Sequence, residues 1–290
     1  MANEVGNTEL SATKQEVITE IAQRALIAAS VYVPSWKDLS SRAVKGASQI
    51  SFPKYSSLFS VENRASATAG SNQLSAFSKD TMDLDVRAHI QWVVDTDDEI
   101  ESTLDVQREY IEQASKEHAS DFDQRGIAKM EADAITTTTA GDISQAVSLE
   151  MRRVLCQNKA NMDDLWLSVG CDQEEKLLQI DPFISAEKYG RAIIPEGVLG
   201  KLYGMMVLVS NNLAAQQYFA HSSEGFGFAL QRAPAFDEAP KPEFGVGAKL
   251  QVLAQKYGQK SLQVGVPNAF LADGTTAITT QSALIVKDAN

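Results

Sequence analysis

An α+β fold is what the sequence predicts, on three observations. Met82, Leu84, Val86, Ala88, Ile90, Trp92 and Val94 take every even position, and Thr81, Asp83, Asp85, Arg87, His89 and Gln91 take the odd ones. That is the period of a strand with one covered face. A long helical pattern follows from Thr96 to about Ala134. From Leu165 onward, short strand and helix patterns take turns.

The chain opens with Val17, Ile18, Ile21, Ala25, Leu26 and Ala29 at steps of three and four, one face of an amphipathic helix over residues 11–30 that Pro34 stops. Ser51 to Asp80 is rich in Ser, Ala, Asn and Gly and is too long for an ordinary connection. It feeds the alternating strand, whose roughly 14 residues would span about 45 Å and so predict a hairpin projecting beyond a core. Thr96 and Glu99 make a capping box, with Asp97 and Asp98 at the positive end of the helix dipole. Ile100, Leu104, Ile111, Ala114, His118 and Phe122 give this helix a narrow stripe over about 55 Å, the pattern of a strut. A second helix, Ile143 to about Gln157, puts Ala146, Val147, Met151, Val154 and Leu155 on one face.

Beyond it, "LWLSVG" predicts a strand, "DQEEKLLQI" a short helix, "GMMVLVS" a strand and "EGFGFALQRA" a helix. The tail from Ser261 to Asp288 predicts strands with a turn at Asp273 and Gly274. Gly197, Gly200 and Gly204 match neither phosphate-binding glycine spacing and predict a bend before the "MMVLV" strand.

With 290 residues, 44% hydrophobic and 22% charged, the chain has globular composition and suits one or two domains. No stretch approaches the roughly 20 apolar residues of a membrane span, and "MANEVGNTELSATKQEV" is not a signal peptide, so cytoplasmic synthesis is expected. A net charge of −12 opposes gathering nucleic acid by counterion release. Cys156 and Cys171 fit no metal or redox spacing and read as buried or incidental thiols. His89, His118 and His221 accompany neither G-x-S-x-G nor H-E-x-x-H; they read as a wet strand face, a helix contact and a helix-start residue. The acidic residues Asp95, Asp97, Asp98 and Glu99 are explained by helix capping, and Asp121 with Asp123 by an exposed helix surface. No catalytic, cofactor or metal constellation emerges.

The order of parts, and above all Arg152 to Leu213, carries a resemblance. A strand, an acidic helix ending in Leu177 and Leu178, "FISAEKYG" at Phe183 to Gly190, and glycines turning into a strand that ends "SNNL" at Ser210 to Leu213 stand in one run. "FAHSSEGFGFALQRAP" and "YGQKSL" follow. This resembles the major capsid proteins of tailed bacteriophages with the Hong Kong 97-like fold. The resemblance implies an N-terminal arm (1–48), an extended hairpin loop (49–95), the spine helix of a peripheral domain (96–140), an axial α/β domain (141–258) and C-terminal strands returning to the peripheral domain (259–290). It also implies a non-enzymatic subunit that forms hexamers and pentamers of an icosahedral virion shell around double-stranded DNA, assembled in the host cytoplasm. Implied partners are further copies of the chain, portal and scaffolding proteins and a decoration protein, with no cofactor and no membrane. Phe52, Tyr55, Phe59, Arg64, Phe77, Lys79 and Arg87 are the expected contacts between subunits. Two other readings stand beside it: an encapsulin-like compartment, and a soluble metal-dependent hydrolase resting on the acidic clusters, Asp95, Asp97, Asp98 and Glu99 and Asp121 with Asp123.

Overall fold

The computed structural model describes residues 30–55, 77–94, 106–180, 200–214, 216–244, 248–264 and 269–289. In chain order they form β1 (Lys37–Asp38), β2 (Gln49–Tyr55), β3 (Phe77–Asp83), β4 (Val86–Val94), α1 (Val106–Asp133), β5 (Ile135–Thr136), α2 (Gln145–Gln157) and β6 (Leu165–Val169). Then come α3 (Cys171–Leu178), β7 (Lys201–Leu202), β8 (Met205–Val209), β9 (Tyr218–Ser222), β10 (Phe226–Pro240), β11 (Lys249–Ser261) and β12 (Ile285–Lys287). The arm helix up to residue 29, the capping box at Thr96 and the acidic cluster beside it lie outside the described residues.

One sheet has six strands in the order β5-β12-β9-β6-β8-β7. Alternation along β6 sends Leu165, Leu167 and Val169 to one face, where they meet Val147, Met151, Val154 and Leu155 of α2. Ser144 starts α2 by accepting a hydrogen bond from Val147 N at 3.4 Å. On the other face, Phe219 packs with Tyr32, Trp36 and the Phe122, Ile127 and Met130 side chains of α1. The two helices therefore cover opposite faces. Ala146 is exposed, so the buried face of α2 is narrower than the sequence predicts.

The second sheet runs β1-β10-β11-β4. Ile111 and Ala114 of α1 pack on Phe236 and Leu253 of its long strands, while Tyr257 of β11 joins the aromatic cluster around Phe122. The predicted stripe is right at Ile111, Ala114, His118 and Phe122, all buried. At 28 residues the described helix is about 42 Å long and braces both sheets.

The helix predicted at "EGFGFALQRA" is instead the start of β10. Gly225, Gly227 and Pro234 all penalise a helix, and register shifts between Leu230 and Ala235 take up the proline as a bulge. The long alternating strand is two strands. Met82 and Leu84 are buried as the period requires, but residues through Asp83 pair with β2 and those from Val86 pair with β11. Periodicity records which face is covered and is blind to a change of pairing partner.

Two smaller readings also change. Among the described residues, the tail beyond β11 has one ladder strand, β12, and otherwise turns and isolated bridges, as its Thr, Ser and Gly content favours. Cys156 and Cys171 are exposed rather than buried, and both are free thiols. The bend before β8 is as predicted. Tyr203 (φ 48°) and Gly204 (φ 84°) form a two-residue loop between Leu202 and Met205, the paired positive φ values of a type I′ hairpin.

Candidate functional site

The titratable groups that might have done chemistry are dispersed. His89 is exposed on β4. His118 is buried on α1 with Nε2 3.0 Å from Leu253 O, and burial lowers its pKa. His221, placed by the sequence before a helix, is fully buried in β9, where Nε2 lies 3.2 Å from Ser35 Oγ. Burial outweighs the attraction of Asp164 and pushes its pKa down to about 3.

Asp121 and Asp123 part company for a geometric reason: two positions along a helix differ by about 200°. Asp121 pairs with Arg125 at 2.8 Å. Asp123, contrary to the exposed surface expected of it, is buried and accepts hydrogen bonds from Ser30 Oγ at 2.6 Å and Val31 N at 2.9 Å. Burial pushes its pKa up to about 6 against those hydrogen bonds. The pair cannot chelate one ion, and no group of His, Cys, Asp or Glu among the described residues is arranged to hold a metal. Asp123 instead ties Ser30 and Val31 to α1, reinforced by Tyr32 stacked on Trp36 at 5.2 Å.

What the structure does build is a two-stranded ribbon on a braced root. β2 and β3 pair in continuous antiparallel register from Gln49 with Asp83 to Tyr55 with Phe77. Ile50, Met82 and Leu84 anchor the root in a cluster with Leu39, Ala229 and Leu262. Leu84 N donates to Ser48 O at 2.9 Å. Lys260 Nζ donates to Thr81 O at 2.7 Å and to the Asp80 carboxylate. β11 passes so close beneath that a Cβ on Gly258 would sit 2.1 Å from Asp83 O. Only glycine allows that approach.

The expected contact residues fall in different places. Phe52 is half-buried against the root cluster. Tyr55 and Phe77 are ladder partners at the outer end of the described hairpin. Lys79 and Arg87 are exposed, and Phe59 and Arg64 lie outside the described residues. Sequence reasoning missed Lys260 and Gly258, because nothing local ties residues near 260 to a hairpin near 80. It missed Asp123 because a D-x-D pair on a long helix looks solvated. Arg152 was passed over too, though its Nη1 donates to Tyr203 O at the type I′ turn.

No family model and no curated protein sequence matches the chain. Solved structures do. The capsid structure of the cyanophage P-SCSP1u aligns with a TM-score of 0.63 at 14% identity, covering 87% of this chain and 85% of that one. The chain has the Hong Kong 97-like capsid fold. The mature capsid of bacteriophage PhiM1 aligns at 0.61 and 13% identity over 90% and 87%. A virus-like particle from Pyrococcus furiosus aligns at 0.59 and 9% identity over 94% and 98%. The Hong Kong 97-like layout accounts for a braced helix, a sheet of long strands and a rooted hairpin in one chain. No helix among the described residues is long and apolar enough to cross a membrane.

Proposed function

We propose that this chain is the major capsid protein of a tailed bacteriophage. It assembles as hexamers and pentamers into an icosahedral virion shell enclosing double-stranded DNA, and it has no enzymatic role. The observation that carries the reading is the shared architecture over nearly the whole chain, including a two-stranded ribbon separate from both larger sheets. A two-stranded ribbon is marginal alone, so its outer part is best explained by a neighbour that completes it.

In this reading residues 1–48 are the arm, 49–95 the extended loop, 96–140 the spine region, 141–258 the axial domain and 259–290 the returning strands. The pairing of β10 with β11 and of β11 with β4 argues instead for taking those two strands out of the axial span and grouping them with the spine helix. Phe52, Tyr55, Phe59, Arg64, Phe77, Lys79 and Arg87 are proposed contacts between copies. Portal, scaffolding and decoration proteins are the partners such a shell takes, and the acidic chain would enclose DNA without sequence-specific binding and without gripping it by counterion release.

A second reading, an encapsulin-like compartment, is favoured by the likeness to the Pyrococcus furiosus particle over 94% of the chain. One experiment addresses both. Purified, concentrated protein is imaged by negative-stain electron microscopy beside a variant with Asn63 to Asn72 replaced by a short Gly-Ser turn. Closed shells from the parent and deformed or missing shells from the variant are expected. Particles from the native host should protect DNA from nuclease, whereas a co-purifying enzyme in their place selects the compartment. Monodisperse monomers across salt, pH and a co-expressed scaffold would overturn both readings.

A further inference from the structure

The edge of a sheet exposes unpaired backbone donors and acceptors, and folded chains guard such edges with short strands, proline, bulges or charge. Among the described residues, every edge but one is guarded. β5 and β7 are two residues long. Beyond β7, Val207 N of β8 donates to Gly200 O at 3.2 Å. The ribbon carries Pro53 and the charges of Lys79, Asp80 and Asp83. β10 is covered at its start by β1, and its open stretch contains the bulge with Pro234 and ends at Pro240.

The exception is β4, which ends the four-stranded sheet. All nine of its residues pair with β11 in unbroken register, from Val86 with Tyr257 to Val94 with Lys249. Its other side has no ladder partner among the described residues. That leaves about 30 Å of edge, free of proline and bulges, on which Arg87 is the one fixed charge. On the α1 side, Ile90 and Trp92 pack on Ile111, Ala114, Phe236 and Leu253 but are only half-buried. Trp92 is held in place, its Nε1 donating to Gln251 Oε1 at 2.8 Å. On the other side Val93 is 38% exposed. An unguarded edge flanked by unfinished apolar contacts is the surface to which another strand adds.

We infer that β4 pairs antiparallel with β4 of a second copy, joining two four-stranded sheets across a two-fold axis. The inference rests on the shell reading, which supplies the second copy. Full overlap of the nine residues fixes the register: Ile90 faces Ile90, His89 faces Gln91, Ala88 faces Trp92 and Arg87 faces Val93. The small Ala88 leaves room for the Trp92 ring, and the two Ile90 side chains cover one another. No like charges meet across this seam, although within each copy Arg87 already stands opposite Lys256, and Lys256 opposite Arg232. The helices also fit. α1 lies mainly over β11, and the two β11 strands of the joined sheet are three strand spacings, about 14 Å, apart. Helices about 10–12 Å wide can lie side by side there. Such self-complementary contacts are the commonest between identical subunits. One strand pair is smaller than a standard interface, so it gives a weak dimer alone and gains from the further contacts of a shell.

The test uses two exposed positions that face each other only across the seam, because on β11 they oppose the uncharged Ala254 and Val252. His89→Lys with Gln91→Lys sets lysine against lysine twice, and His89→Lys with Gln91→Glu sets lysine against glutamate twice. Sedimentation velocity and electron microscopy of the full chain follow association. The double lysine should raise the concentration needed by about tenfold, and the lysine–glutamate chain should return to within about threefold of the parent. Added lysines lower the net charge of −12, so general self-repulsion predicts the opposite. A double-lysine chain that associates like the parent, or a lysine–glutamate chain no better than it, overturns the pairing. Register is read separately with Cys156 and Cys171, both exposed, changed to Ser. An Arg87→Cys chain mixed with a Val93→Cys chain should form a disulfide between copies. Either chain alone should not, since its two thiols would lie about 20 Å apart. Shells without that mixed link overturn the pairing and leave the shell reading standing. Linked dimers that never close into shells would sink the shell reading and leave the pairing.

Discussion

The six-stranded sheet and the four-stranded sheet with its hairpin use the same alternation of residues but come to different ends. In the first, β9 is buried at all five positions, because α2 covers one face and α1 with the Tyr32 to Trp36 segment covers the other. In the second, β4 alternates half-buried with exposed residues from Val86 to Val93, with only Val94 buried, and the face away from α1 keeps three opposed cations. One region is completed by its own chain. The other has charges, an edge strand and a ribbon that the described residues leave uncovered, as expected of a surface rather than a core.

The largest effect that bears on this contrast is a cavity at the point where α1 joins the two sheets. Phe122 is fully buried, with Tyr257 at 4.9 Å, Phe228 at 5.5 Å and Trp36 at 5.7 Å between ring centroids. Phe122→Ala should cost about 3–5 kcal/mol in urea unfolding of the unassembled protein. Lys79→Ala, on the exposed hairpin, should cost less than about 0.5 kcal/mol. Similar losses from both would erase the distinction between finished and unfinished regions.

A second effect, about 3 kcal/mol, sharpens it through pH. Burial holds His221 at about 3 against an ordinary 6.5. Between those values the unfolded chain binds a proton that the folded one refuses, so this contribution is complete above pH 6.5 and is lost as pH falls toward 3. Asp123 runs the other way. Its folded pKa of about 6 exceeds the ordinary 3.8, so folding takes up a proton in that window and stability rises as pH falls from 6 toward 3.8. Each slope is about 1.4 kcal/mol per pH unit, and in the parent they largely offset. Relative to the parent, His221→Gln should therefore gain stability on acidification from pH 6.5 to 4, and Asp123→Asn should lose it. Urea midpoints of all three proteins across that range provide the check. Parallel curves would mean that neither group is as enclosed as its packing indicates.

How much of this was legible in the sequence follows from the range of each signal. The covered face of residues 82–94, the stripe of α1, α2, β6, α3 and β8 are local patterns with periods of two or three to four residues, and they stand where expected. The start of β10 was misread because apolar spacing near Phe226 and Phe228 outweighed glycine and proline, which argued the other way. The root of the hairpin was beyond reach. Lys260 finds Asp80 across 180 residues, and the cation row exists only once register sets Arg232, Lys256 and Arg87 side by side. The capsid-like architecture was readable from the order of its parts, while the places where copies would touch depend on pairings that no local pattern encodes.

The smallest effect tests whether the hairpin root is an independent, weaker unit. Lys260 is about a third exposed and its partner Asp80 less so, with side-chain exposures of 32% and 17%. Solvent screening limits such a pair to roughly 1 kcal/mol. Lys260→Met keeps the aliphatic stem over the root and removes the donor to Asp80 and Thr81 O, so global unfolding should shift by no more than that amount. Hydrogen exchange should respond far more selectively. Amides of β2 and β3 lose protection when the clamp goes, because a two-stranded ribbon has little else to hold it, while β6, β8 and β9 keep theirs. If protection in the six-stranded sheet fell in step with the hairpin, the two regions would unfold as one cooperative unit. The hairpin would then be part of the core, and its separation from the six-stranded sheet would be one of exposure alone.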